Sequence, residues 1–196
     1  MSAAPAPIPT SARQIPGFST PGVGFEQPFA MLEACHERVQ RTLALLERLR
    51  VHVHDHGADE PALQAARDVL RYFDIAAPLH HQDEELHVFP PLLAQGQADV
   101  VALVQRLLHD HHDMVSDWAT ARQPLQALVD GRASRFSAGD LAVLERFAQR
   151  YARHIDDEER IAYPAAQGVL PEATLESMGR EMAGRRQSPV LQQHGS

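Results

Sequence analysis

The sequence predicts an all-α protein, an antiparallel up-down four-helix bundle with a proline-rich N-terminal arm and a short C-terminal helix. Three observations carry this. From Pro28 onward, apolar residues recur at steps of three and four. The alternating β-branched pattern of a strand is missing throughout. Prolines and cap residues divide the remainder into segments of roughly 25 residues with short gaps between them, the signature of a bundle.

Residues 1–27 hold Pro5, Pro7, Pro9, Pro16 and Pro21 among small polar residues, a composition that cannot bury a core, so an extended or disordered arm is expected. The bundle is expected over residues 28–165 and a tail with a short helix over 166–196. Pro28 suits the first turn of the first helix, whose stripe runs Phe29, Leu32, His36, Val39, Leu43, Leu46 and, more weakly, Arg50 and Val53. After a loop from His54 to Ala58, Asp59-Glu60-Pro61 opens the second helix, with the stripe Ala66, Leu70, Phe73, Ala77, His80, Glu84, His87; Pro90-Pro91 is expected to end it. The third stripe is Val104, Leu108, His111, Val115, Trp118, with Pro124 as the expected stop. Ser137 and Asp140 resemble a capping box for the fourth helix, with the stripe Leu144, Phe147, Tyr151, His154, Glu158, Ile161 up to Pro164. A fifth helix from about Pro171 to Ala183 is expected to pack outside.

The 196 residues suffice for one sizeable core, and the formal charge of −8, without a basic run, argues against nucleic acid or an anionic membrane surface as partner. The single cysteine, Cys35, excludes an internal disulfide, a cysteine-based zinc site and a thiolate-held iron–sulfur cluster. With no apolar run of membrane-spanning length and no basic, apolar leader, the expected location is the cytoplasm. Against this plain background stand 12 histidines.

Each stripe carries a histidine where an apolar residue belongs: His36, His80, His111 and His154. Two stripes continue four residues on with a carboxylate, Glu84 and Glu158, placed on the same helix face as its histidine. A lone carboxylate in an apolar seam costs several kcal/mol, so something positive must sit between them. One such histidine is ordinarily a hydrogen-bonded core residue. Here, however, the segment from His80 to Pro90 aligns with that from His154 to Pro164 at an offset of 74 residues, and His36 and His111 lie 75 apart. Two helix pairs related by a pseudo-twofold would bring both sets around one central metal site. His81 and Glu85 form a second HxxxE one residue out of phase, but the aromatic-Pro alignment and the stripe spacing favour His80 and Glu84. The same offset favours His111 over His109 and His112. The other histidines (His52, His54, His56, His81, His87, His109, His112, His194) read as surface residues, Cys35 as a free buried thiol, Tyr151 and Trp118 as core packing, and Glu85 and Glu159 as groups that orient a histidine or face water.

The doubled His and HxxxE pattern resembles the bacterial type of the hemerythrin-like family, also called the HHE cation-binding domain, over roughly residues 28–165. The segments that carry it are Met31 to Val39, the two HxxxEE stretches, and Asp110-His111 followed by Trp118. The resemblance implies a non-haem di-iron four-helix bundle, with His36, His80, His111 and His154 as terminal iron ligands and Glu84 and Glu158 as bridging carboxylates. It implies two iron ions with an oxo or hydroxo bridge, although imidazole and carboxylate donors also suit manganese or zinc. Two octahedral ions so ligated keep two positions for solvent, O2, NO or peroxide, unless a further protein ligand takes one. Oxygen carriers of the family have a second histidine four residues along the third helix, where this chain has Val115, and an aspartate five after the fourth-helix histidine, where this chain has Glu158 one residue earlier. The expected function is therefore to bind, sense or react with O2, NO or peroxide rather than to carry O2. The alternatives are a di-iron enzyme (peroxide reduction, O2-dependent oxidation or iron–sulfur cluster repair) and a metal-free structural bundle.

Overall fold

A computed structural model describes residues 24–187, and within them every regular element is helical. Helix α1 is Pro28–His56. Helix α2 covers residues 60–95 as Glu60–Arg71, Ala77–Asp83 and Phe89–Gln95, joined by wide π turns at Tyr72–Ala76 and Glu84–Val88. Helix α3 is Ala98–Val129. Helix α4 covers residues 138–169 as Ala138–Gln149, Tyr151–Asp157 and Tyr163–Val169, with a π turn at Glu158–Ala162. Helix α5 is Glu172–Gln187 and packs on α1 and α2. The loops at residues 57–59, 96–97 and 130–137 are short enough to make α1 to α4 successive antiparallel neighbours. The proline-rich arm up to residue 23 lies outside the described residues, as does His194. No helix among the described residues is long and apolar enough to cross a membrane.

Local chemistry sets the starts. Asp59 accepts the Ala62 amide to open α2, and Ser137 with Asp140 forms the reciprocal capping box of α4. Helix α1 runs through His56, beyond the expected loop start, and stops at Gly57, whose φ of +79° favours a residue without a Cβ. Arg135 donates to the carbonyls of Val53 and His54 in the last turn of α1 from the loop before α4.

The expected stops fail, for one physical reason in two cases. Pro90 and Pro164 lie inside their helices, near the start of the α segment that follows a π turn, as does Pro78. In each π turn the next amide reaches back five residues: Ala77 to Tyr72, Phe89 to Glu84, Tyr163 to Glu158. The extra residue widens the backbone where a pyrrolidine ring would strike the preceding turn, so the helix absorbs the proline instead of ending. Pro124 also fails to end α3; it loses one hydrogen bond, but it is buried beside Ala121 and Leu125, whose packing keeps the helix whole.

The π turns also displace the buried stripes. The next inward residue after Glu84 is Val88, not His87, and after Glu158 it is Ala162, leaving Ile161 exposed. On α3 the inward positions are Val104, Leu107, His111 and Met114, while the expected Val115 faces outward, 64 % exposed. Adjacent apolar pairs such as Leu107-Leu108 satisfy either phase, so spacing alone selects the wrong member.

The core divides into two apolar clusters. One gathers Val39, Leu46, Leu49, Phe73, Met114, Leu125, Phe147 and Tyr151, with Trp118 at its margin. The other gathers Phe29, Leu32, Phe89, Leu92, Leu107, Tyr163 and Met182. Between them lies a polar layer.

Helix α5 is held to this layer's edge by charge. Asp83, fully buried, takes Arg185 and Arg186 at 2.6 Å each. Removing the carboxylate strands two guanidinium groups in a poorly hydrated seam. Asp83→Ala is expected to cost about 3 kcal/mol, the lower end for breaking a buried ion pair, read as a shift in urea unfolding of the metal-free chain; a loss near zero would show that α5 docks by its methionines alone.

Candidate metal centre

The polar layer follows from the stripes. His36 lies between Leu32 and Val39 on α1, His111 between Leu107 and Met114 on α3, and both HxxxE pairs occupy the turns leading into π segments of α2 and α4. All six of His36, His80, Glu84, His111, His154 and Glu158 are at most 3 % exposed. Their donor atoms form two groups: His36, His80, Glu84 and Glu158 in one, His111, His154 and Glu158 in the other.

Each imidazole turns Nε2 inward. The outer Nδ1–H of His36 donates to Glu159 Oε1 at 2.9 Å, that of His111 to Glu85 Oε1 at 2.8 Å, and that of His154 faces Asp110 Oδ2 at 3.4 Å. A hydrogen on Nδ1 leaves a lone pair on Nε2. These lone pairs then converge: His111 Nε2 is 3.1 Å from His154 Nε2, and His36 Nε2 is 3.1 Å from Glu158 Oε2.

The carboxylates span both groups. Glu158 sets Oε1 3.0 Å from His154 and Oε2 against His36, while Glu84 sets Oε1 3.4 Å from His80 and Oε2 3.5 Å from His111. Both oxygens of Glu158 and Oε2 of Glu84 are buried without a hydrogen-bond donor. Converging lone pairs and unsatisfied buried carboxylate oxygens repel one another unless protons or cations lie among them. Imidazole nitrogen with carboxylate oxygen is a donor set for divalent transition ions, so these residues fit a pair of metal ions.

A profile of the Hemerythrin HHE cation binding domain matches residues 27–166. The chain belongs to the hemerythrin HHE family. An uncharacterized protein of Haemophilus influenzae is 32 % identical over 163 residues, 83 % of this chain and 92 % of that one. Of the two roles expected of Glu85 and Glu159, orienting a histidine or facing water, the structure shows the first: each holds a histidine. His80 is the exception, its Nδ1 being buried without a partner.

Three residues depart from expectation. His81 is not a surface residue; it is buried and stacks on His111, with ring centroids 4.0 Å apart. His87 is half-buried because the π turn rotates it towards α5, where it meets Arg185 at 2.8 Å. Tyr163, legible in sequence only as half of an aromatic-Pro repeat, places its hydroxyl on Glu84 Oε1 and 3.2 Å from His36 Nε2. Trp118 and Tyr151 pack with Phe73 and Phe147. Cys35 is buried, and its burial pushes the thiol up, away from the reactive thiolate.

The HHE layer of this chain also has a defined charge logic. Burial and the neighbouring Glu158 hold the Glu84 carboxyl well above the usual range. Burial also works against ionised Glu158, but His154, His111 and His36 outweigh it and hold that carboxylate below the range. Burial depresses His111, yet its contacts with Glu158 and Glu85 prevail and raise it. His80 is kept neutral, chiefly by burial. Without metal, protons therefore supply the positive charge; with metal, the ions replace them.

Protons and cations compete for the same lone pairs, so affinity must rise with pH. Between about pH 6 and about pH 8, zinc affinity measured by calorimetry should increase and binding should release protons, seen as a dependence on buffer ionisation enthalpy. A pH-independent affinity would contradict the charge assignment. Glu85→Ala should weaken metal binding by roughly 10–100-fold through loss of imidazole orientation, in a competition titration against a chromophoric chelator.

Proposed function

We propose that this chain holds two iron ions, one between His36 and His80 and one between His111 and His154, and that it binds, senses or reacts with O2, NO or peroxide. One observation carries the reading: each of the two buried carboxylates turns one oxygen to each histidine pair, and three of those four oxygens are without a donor. A metal-free structural bundle would have to keep protons among these groups or leave them facing each other at a cost of several kcal/mol. When bound, paired iron supplies the electrons and the open coordination positions that such small ligands require.

The rest is done by the chain's own groups. Glu84 and Glu158 hold the two positions at a fixed spacing, and Glu159, Glu85 and Asp110 hold three imidazoles in the tautomer that leaves Nε2 free. The two apolar clusters exclude bulk water from above and below. A cleft of about 440 Å³ between α2 and α3, with His81, Glu85, His111, His112 and Val115 in its walls, brings solvent to the edge of the second histidine pair. Val115 stands four residues beyond His111, 64 % exposed and unable to ligate. This supports a reactive or sensing centre over an O2 carrier.

Anaerobically purified protein is expected to contain two irons per chain and, once oxidised, to absorb in the visible. Mixing the reduced protein with O2 in a stopped-flow instrument should give rapid, irreversible oxidation. An oxygenated form that releases O2 intact on evacuation would overturn the reactive reading, and failure to take up iron would overturn the metal reading. Sustained turnover of peroxide would make the chain an enzyme rather than a sensor.

A further inference from the structure

The sequence repeat makes the two histidine pairs formal equivalents, yet the aromatic rings packed beside them differ at one atom. Phe89 and Tyr163 are repeat mates, each following a π turn that begins at a carboxylate. Phe89 packs against His111, ring centroids 5.5 Å apart. Tyr163 stacks on His36 at the same separation, with the rings 8° from parallel. Only Tyr163 carries a hydroxyl. That oxygen lies 3.2 Å from His36 Nε2 and in hydrogen-bond contact with Glu84 Oε1, two atoms aimed at the first metal position. A residue 1 % exposed that brings a third donor atom to the convergence of two others is placed as a ligand is placed.

We propose that Tyr163 is a seventh protein donor, completing the ion held by His36 and His80 and leaving the ion held by His111 and His154 as the one that exogenous small ligands reach. The inference rests on the di-iron reading above. The first ion then has two imidazoles, one oxygen from each of Glu84 and Glu158, and the phenol oxygen; the second has two imidazoles and the two remaining carboxylate oxygens. The phenol proton leaves to solvent as the oxygen–metal bond forms. The cleft agrees with this division, since it touches His111 and neither His36 nor His80.

The test uses the full chain loaded with Fe(II) and oxidised in air. Resonance Raman excitation within the visible band should show the ring modes of an iron-bound tyrosinate, and Tyr163→Phe should abolish them while iron stays near two per chain. The repeat mate Phe89 shows that a phenyl ring is accommodated at this place in the fold. Azide serves as the small-ligand probe. Val115→Trp, which fills the cleft from an exposed position, should slow azide association at least tenfold without changing the tyrosinate modes. Two bound irons without those modes, or modes that persist in Tyr163→Phe, would overturn the Tyr163 assignment alone. An unchanged azide rate in Val115→Trp would overturn the assignment of access to the second ion. No iron uptake would overturn the underlying reading before Tyr163 enters.

Discussion

Glu84 and Glu158 lie at the centre of the bundle, each fully buried and each facing imidazole nitrogens whose hydrogens point the other way. Nothing in an apolar interior neutralises such a set except protons or cations, and the remaining architecture can be traced to that requirement. The two hydrophobic clusters exist as two because a charged layer divides them. The converging side chains come from four stripes, one on each helix of the bundle. The outer carboxylates Glu85, Glu159 and Asp110 sit at the surface of the layer because each must be near water and still reach an imidazole Nδ1.

The π turns connect this chemistry to the backbone. Each of the buried carboxylates Glu84 and Glu158 opens a wide turn, and a proline follows six residues later. The extra residue rotates everything downstream, which turns Val88 and Ala162 inward and brings Phe89 and Tyr163 over the histidines of the opposite half. A regular α-helix of the same sequence would present His87 and Ile161 to the seam. The proline that looks like a helix stop is thus part of the device that sets the roof of the polar layer.

The converging donor atoms fall into two groups, but the surroundings of the two are unequal. One lies under a tyrosine and beside the α1–α5 face, where Asp83 pins Arg185 and Arg186 next to Glu84. The other borders a cleft with an exposed valine and a stacked histidine, His81. A repeated set of histidines and carboxylates is compatible with an unrepeated shell, because the shell answers only to packing.

From the chain alone, the class of fold, the capping of α2 and α4 and the identity of the six converging side chains were legible, since periodicity and a 74-residue repeat act at short range and leave their mark in spacing. The tertiary structure decided what spacing cannot encode. It chose Met114 over Val115 for the seam, carried helices through Pro90, Pro124 and Pro164, buried His81, and brought the Tyr163 hydroxyl to His36 across 127 residues of sequence. Each of these depends on which face a neighbouring helix covers and on one extra residue in a turn. Such choices are settled by packing energies between distant segments, and no local pattern records them.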